Sequence, residues 1–101
     1  MKDIKIAILL DYYGALLTGK QYMAVDLYYN EDYSLLEIGE QLAITRQGVH
    51  ENIKKGTDNL IYFEEKLKLY SKAQENETII QKISGLTDNQ EILQLLETLL
   101  R

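Results

Sequence analysis

The chain has no cysteine and no proline, and one histidine among its 101 residues. Without cysteine there is no disulfide framework, no thiolate zinc site and no thiol nucleophile, which fits a reducing cytosol. A single histidine excludes a multi-histidine metal site and argues against a His-dependent catalytic triad. Long apolar runs are missing as well: the stretch from Ile6 to Leu10 is halted by Asp11, too short for a signal-peptide core or a bilayer span. No phosphate loop, nucleophile motif or metal cluster is present, so a non-enzyme without cofactor or metal is expected, soluble and cytoplasmic, with no membrane insertion.

Positive charge is also scarce. Eleven Lys and Arg face sixteen Asp and Glu, for a net charge of −5. Phosphate contact needs local positive charge, so the total argues against indiscriminate nucleic-acid binding. The distribution matters more: Arg46, Lys54 and Lys55 against Glu51 leave Thr45–Gly56 at +2, one basic segment in an acidic chain. The 46% hydrophobic content is enough for a core.

The absence of proline and of strand-like alternation points to helices throughout. Thr18-Gly19-Lys20-Gln21, Ser34-Leu35-Leu36-Glu37 and Thr87-Asp88-Asn89-Gln90 fit the capping-box pattern, in which a hydroxyl accepts from the N3 amide and the Gln or Glu reaches back. A first helix is expected over Asp3–Tyr13, with Ile4, Ala7, Ile8 and Tyr12 on its buried face and Gly14 ending it. A second spans Gly19–Tyr29, with Tyr22, Val25 and Tyr29 on one stripe and Met23 and Leu27 beside it. A third spans Leu35–Leu42, burying Leu35, Ile38 and Leu42. Thr45 caps a long fourth helix whose seam, Val49, Ile53, Gly56, Leu60, Phe63, Leu67 and Tyr70, steps by four and three. Gly56 marks a bend or close helix contact. The polar stretch Ser71–Glu77 reads as a helix end or hinge, and an amphipathic tail broken at Ser84-Gly85 follows. The division is therefore a helical domain over 1–70 and a tail over 71–101.

Residues 34–55 have the makings of a helix-turn-helix. Gly39 lets the second helix cross close to the first. Ala43 sits at a turn that favours positive φ, and Ile38, Leu42, Ile44 and Val49 form the apolar wedge. A recognition helix capped by Thr45 would place Arg46, Gln47 and His50 at base edges, Arg46 suited to guanine and Gln47 to adenine. Lys54 and Lys55 would reach phosphates, and Ser34 would help position the backbone.

The stretches Leu10-Asp11-Tyr12-Tyr13-Gly14-Ala15-Leu16-Leu17-Thr18-Gly19-Lys20-Gln21, Leu27-Tyr28-Tyr29-Asn30-Glu31-Asp32-Tyr33-Ser34-Leu35 and Thr45-Arg46-Gln47-Gly48-Val49-His50-Glu51-Asn52-Ile53-Lys54-Lys55 resemble region 4 of bacterial sigma factors. They are more similar still to the YlxM-like family of small helix-turn-helix proteins. The likeness covers roughly residues 8–70. It implies an all-helical, sigma region 4-like fold, a cytosolic location, DNA binding and an association with the signal recognition particle genes. Gly39 and Ala43 stand where that family more often has Ala and Gly, and Gly48 replaces a common Ala. The tail beyond Tyr70 inherits nothing from it.

Plainer readings stand beside these. A helical hairpin can serve as core or protein-docking surface alone, and His50 can be an ordinary surface or half-buried residue. Tyr12, Tyr22, Tyr29 and Tyr70 fall on apolar stripes, so most of the eight tyrosines read as core or interface residues with a wet hydroxyl. Glu64, Glu65, Glu75 and Glu77 read as solvated helix face. Ile92, Leu95, Leu96, Leu99 and Leu100 exceed what one helix usually leaves in water, which points to a homodimer through the tail or the long helix. The expectation is a DNA-binding regulator; the alternative is an adaptor for protein or RNA components of the signal recognition particle.

Overall fold

Asp3, Thr18, Ser34 and Thr45 all hold extended backbone and turn a side-chain oxygen onto the amides that follow. Each starts a helix, because the first amides of a helix have no partner within it. The helices are α1 (Ile4–Tyr13), α2 (Gly19–Tyr29), α3 (Leu35–Leu42) and α4 (Arg46–Leu67), with a 3-10 turn over Gly14–Leu16 between the first two. Thr18 and Ser34 make both halves of the capping box, with Gln21 and Glu37 reaching back. The computed structural model describes residues 3–101, and among them there is no strand. Two more helices follow, α5 (Leu69–Gly85) and α6 (Gln90–Leu99). The all-α, helix-turn-helix expectation holds.

The chain divides into two compact units, the first ending at Lys68 and the second spanning Leu69–Arg101. In the first unit α4 is the strut against which α1, α2 and α3 all pack. Leu9, Tyr13, Val25, Ile38, Val49 and Leu60 are its most deeply buried large side chains. At Gly56 an added Cβ would stand 2.7 Å from Val25 Cγ2. The glycine in the seam is therefore a close contact between α2 and α4, and its cost in helix propensity is offset by packing.

Several expectations are corrected. The buried face of α1 is Ile6, Leu9, Leu10 and Tyr13, while Ile4 is 77% exposed and Tyr12 also lies outside. On α2 the buried residues are Ala24, Val25 and Leu27, with Tyr22 and Met23 exposed. Of the tyrosines, Tyr13 is the fully buried one, and Tyr29 and Tyr70 are half-buried. Burial raises the pKa of the Tyr29 hydroxyl, with the neighbouring Tyr28 and Asp3 adding to it. The seam ends early, because Lys68 takes the left-handed conformation (φ 53°) and stops α4, leaving Leu67 exposed and Tyr70 on the next helix. Ser71–Glu77 accordingly lies inside α5 and is not a helix end.

Glu64 is the sharpest departure. Expected on a solvated face, its side chain is buried, and Tyr13 Oη donates to Glu64 Oε1 at 2.6 Å. A buried carboxyl group is tolerated when a good donor meets it. Here the donor comes from α1, 51 residues away in sequence.

In the second unit α5 and α6 pack on each other across a four-residue connection, a helical hairpin. The start of α6 also differs from expectation. Asn89, rather than Thr87, is the cap, its Oδ1 accepting from the amides of Glu91 and Ile92 at 2.9 and 3.3 Å. Thr87 Oγ1 instead accepts from the Asn89 amide.

Tyr13→Phe removes the donor to Glu64 while keeping the ring. It is expected to lower the stability of the first unit by about 1–3 kcal/mol. Urea unfolding followed by circular dichroism reads this directly; an unchanged midpoint would mean that the bond carries no stability.

Candidate nucleic-acid interface

The crossing of α3 and α4 is set by three residues. An added Cβ on Gly39 would lie 2.9 Å from the Ile44 carbonyl oxygen, a backbone atom that cannot step aside cheaply. Ala43 ends α3 in the left-handed region (φ 56°, ψ 44°), its amide donating to the Gly39 carbonyl, which also accepts from the Ile44 amide at 3.0 Å. The chain thus reverses within Ala43-Ile44-Thr45, and Ile44 drops onto the cluster of Ala24, Leu27, Ile38, Val49 and Ile53.

Thr45 then starts α4, its Oγ1 accepting from the Gly48 amide at 3.0 Å. An added Cβ on Gly48 would stand 3.2 Å from that oxygen, so the glycine leaves the cap unobstructed. Asn52 Nδ2 donates to the Gly48 carbonyl at 2.8 Å and braces the first turns. Val49, Ile53 and Gly56 face the core. What remains outward is fixed by helix period: Arg46, Gln47, His50, Glu51, Lys54 and Lys55 are all exposed.

The structure places the seven residues singled out from sequence in two groups. Arg46, Gln47, His50, Lys54 and Lys55 are exposed along the first three turns of α4, over about half of the helix circumference. Ser34 and Thr45 stand at the starts of α3 and α4. Their oxygens accept from the Glu37 and Gly48 amides, at 3.1 and 3.0 Å. A hydroxyl that caps as an acceptor keeps its O–H as a donor, and both residues are exposed.

One participant escaped the sequence reading. Lys54 Nζ lies 3.2 Å from Asp58 Oδ2, an exposed pair one helical turn apart. Its signal was the four-residue spacing of opposite charges. Such a pair is worth about 0–1 kcal/mol, so Lys54 leaves it readily for a stronger anion. With Asp58 included, the outward charge of this stretch is smaller than Thr45–Gly56 alone suggests.

The sequence is similar to those of known proteins. The model of a family, UPF0122, described as "Putative helix-turn-helix protein, YlxM / p13 like", matches residues 1–99. The UPF0122 protein of Desulforamulus reducens is 48% identical, across 85% of this chain and 75% of that protein. YlxM of Bacillus subtilis is 40% identical across 97% of this chain and 93% of its own length. The UPF0122 protein of Bacillus licheniformis is 43% identical across 88% and 83%.

Ala43 is the one residue of the turn whose backbone conformation opposes its side chain. An alanine there costs about 1 kcal/mol, which glycine avoids at some entropic cost of its own. Ala43→Gly is expected to keep the fold and shift stability upward by no more than about 1 kcal/mol, whereas β-branched Ala43→Val is expected to lose about 1–2 kcal/mol. Thermal melts of the two variants check the order; the opposite order would mean that the turn is not under this strain.

Proposed function

The chain belongs to the YlxM/p13-like family of helix-turn-helix proteins, and from that premise we propose that it binds duplex DNA through the first three turns of α4 and acts as a non-enzymatic, cytoplasmic regulator of transcription. The observation that carries this reading is the shared exposure of Arg46, Gln47, His50, Lys54 and Lys55 on a helix whose opposite side is locked by fully buried Val49. A helix held this way enters the major groove with its N-terminal turns foremost. Arg46 then offers a bidentate fork to guanine O6 and N7, and Gln47 an amide to adenine N6 and N7. His50 sits one turn further along. Lys54 and Lys55 reach phosphates, and the hydroxyls of Ser34 and Thr45 donate to phosphate oxygens at either side. Glu51 and Asp58 oppose phosphates electrostatically, which suppresses binding to unrelated sequence.

A second reading is favoured by the Lys54–Asp58 pair, which takes up part of the positive charge of the face. In it the helix-turn-helix is a scaffold for an adaptor that engages components of the signal recognition particle, by protein or RNA contact.

The variants Arg46→Ala, Lys54→Ala and Asp58→Ala test the DNA reading against a randomised duplex pool. Arg46→Ala is expected to cost ~1–3 kcal/mol at one base position and relax preference there. Lys54→Ala is expected to weaken all sequences alike and flatten the log–log salt dependence by about one unit. Asp58→Ala frees Lys54 and is expected to strengthen binding to every sequence at low salt. Identical profiles for the Arg46 and Lys54 variants would remove the base-reading assignment, and no duplex binding at low salt would leave the adaptor.

A further inference from the structure

The second unit does not account for its own apolar surface. It is 33 residues long, a length at which oligomerisation, metals or disulfides are usually needed for a stable core. Of its described hydrophobic residues, Ile80 and Leu96 are buried. Between the helices runs a groove of about 340 Å³ lined by Asn76, Ile79, Ile80, Ile83, Leu96 and Leu99, with no charged side chain among them.

We propose that this groove is filled by the same hairpin of a second copy of the chain, so that α5 and α6 of two chains close a four-helix bundle about a two-fold axis. Three observations favour a copy of itself over another occupant. The first is area. Ile79, Ile83, Ile92, Leu95, Leu99 and Leu100 are between 39% and 69% exposed. At on the order of 100 Å² of apolar surface per side chain, they leave roughly 300 Å² uncovered on each chain. Two such faces, at the apolar share of about 65% usual in homodimers, make an interface near 1,000 Å² in total. That lies close to the floor of about 1,000 Å² for a specific association.

The second observation is spacing. Leu69, Ala73, Asn76, Ile80 and Ile83 alternate by four and three along α5, the step that lets helices pack knobs into holes without drifting off the seam. The third is Asn76 itself. It lies near the middle of α5 and is the one polar residue lining the groove. An asparagine amide is both donor and acceptor, so across a two-fold axis it pairs with its own copy. A polar residue at one seam position fixes register and number of chains, at a cost in stability. The second unit of each copy carries a net charge of −2, but the groove lining is free of charge, so the seam brings no like charges face to face.

Two measurements on the full-length protein, without DNA, test this; their outcome is independent of the DNA reading, which a single recognition helix on a half-site probes separately. Sedimentation equilibrium at micromolar concentration is expected to give a dimer. Ile79→Lys and Leu99→Lys change residues 54% and 69% exposed in the single chain. They are therefore expected to retain the helical circular dichroism and to weaken association by more than about tenfold. Because the chain has no cysteine, Asn76→Cys supplies a single thiol at the predicted axis. It is expected to form a covalent dimer under mild oxidation, while Gln74→Cys, on the polar side of α5 with Glu77, Thr78 and Gln81, is expected to remain uncrosslinked. A monomeric wild type would overturn the proposal and assign the groove to a different partner. Equal crosslinking at positions 74 and 76, or dimers that survive both lysine substitutions with their helicity intact, would place the interface elsewhere.

Discussion

Gly39 has no side chain, and the carbonyl oxygen of Ile44 occupies the space where one would begin. That close approach decides how α4 leaves the turn, and with it which residues of α4 face inward. A helix has one rotational degree of freedom about its axis. Once Ile44 and Val49 are seated in the core with Ala24, Leu27, Ile38 and Ile53, that freedom is gone. The outward side then consists of Arg46, Gln47, His50 and Lys54, not by any property of those residues but because the other side is committed. Binding chemistry on such a helix is pre-positioned before any ligand arrives, which lowers the ordering cost of recognition.

The far end of α4 is held by different means. Past Gly56, where α2 comes within contact through Val25, the helix continues to Leu60, fully buried, and to Glu64, whose carboxyl accepts from Tyr13. The proposed DNA-contacting turns and this buried polar contact lie on one unbroken 22-residue helix. A long helix clamped at both ends transmits little rotation to its first turns, because turning one end would have to tear Leu60 and Glu64 out of the core at the other.

What was legible in the sequence was local chemistry. Thr18, Ser34 and Thr45 cap helices because their hydroxyls compete for nearby amides within three residues, and that competition is written in the sequence itself. The positive φ of Ala43 was readable from its place in the motif. What was not legible depended on distant residues or on ambiguous patterns. α1 is apolar nearly all round, so two stripes of helical period coexist, and only packing chose Ile6–Leu9–Leu10–Tyr13 over Ile4–Ile8–Tyr12. Glu64 looked solvated because its partner is on another helix. At the start of α6, Thr87 and Asn89 were both competent caps, and Asn89 prevailed with two amides on one oxygen. Lys68 breaks the chain between α4 and α5 in a conformation that lysine rarely adopts, and no local signal marks it. For the candidate site, residue types and spacing were readable; the Lys54–Asp58 pairing was readable too, but Asp58 lies beyond the basic segment Thr45–Gly56.

The electrostatics of the proposed DNA-binding face and the apolar hairpin bear on one another. A single copy offers three cations on that stretch of α4, Arg46, Lys54 and Lys55, against an acidic whole. In the proposed DNA complex each phosphate neutralised would contribute about −0.9 to the log–log salt slope, so one copy would have a slope no steeper than about −3 and would hold DNA weakly at physiological ionic strength. In the proposed dimer the two faces add, and the second contact is made from within the complex, at the effective concentration that the hairpin bundle sets. The gain falls on sites where both faces find their bases, because only there are both engaged at once. Negative charge elsewhere on the chain then works in the same direction: it penalises each single-face encounter and leaves the two-face encounter as the stable one. An acidic protein with one modest basic stretch per chain is poorly suited to coat DNA, and physically suited to ignore most of it.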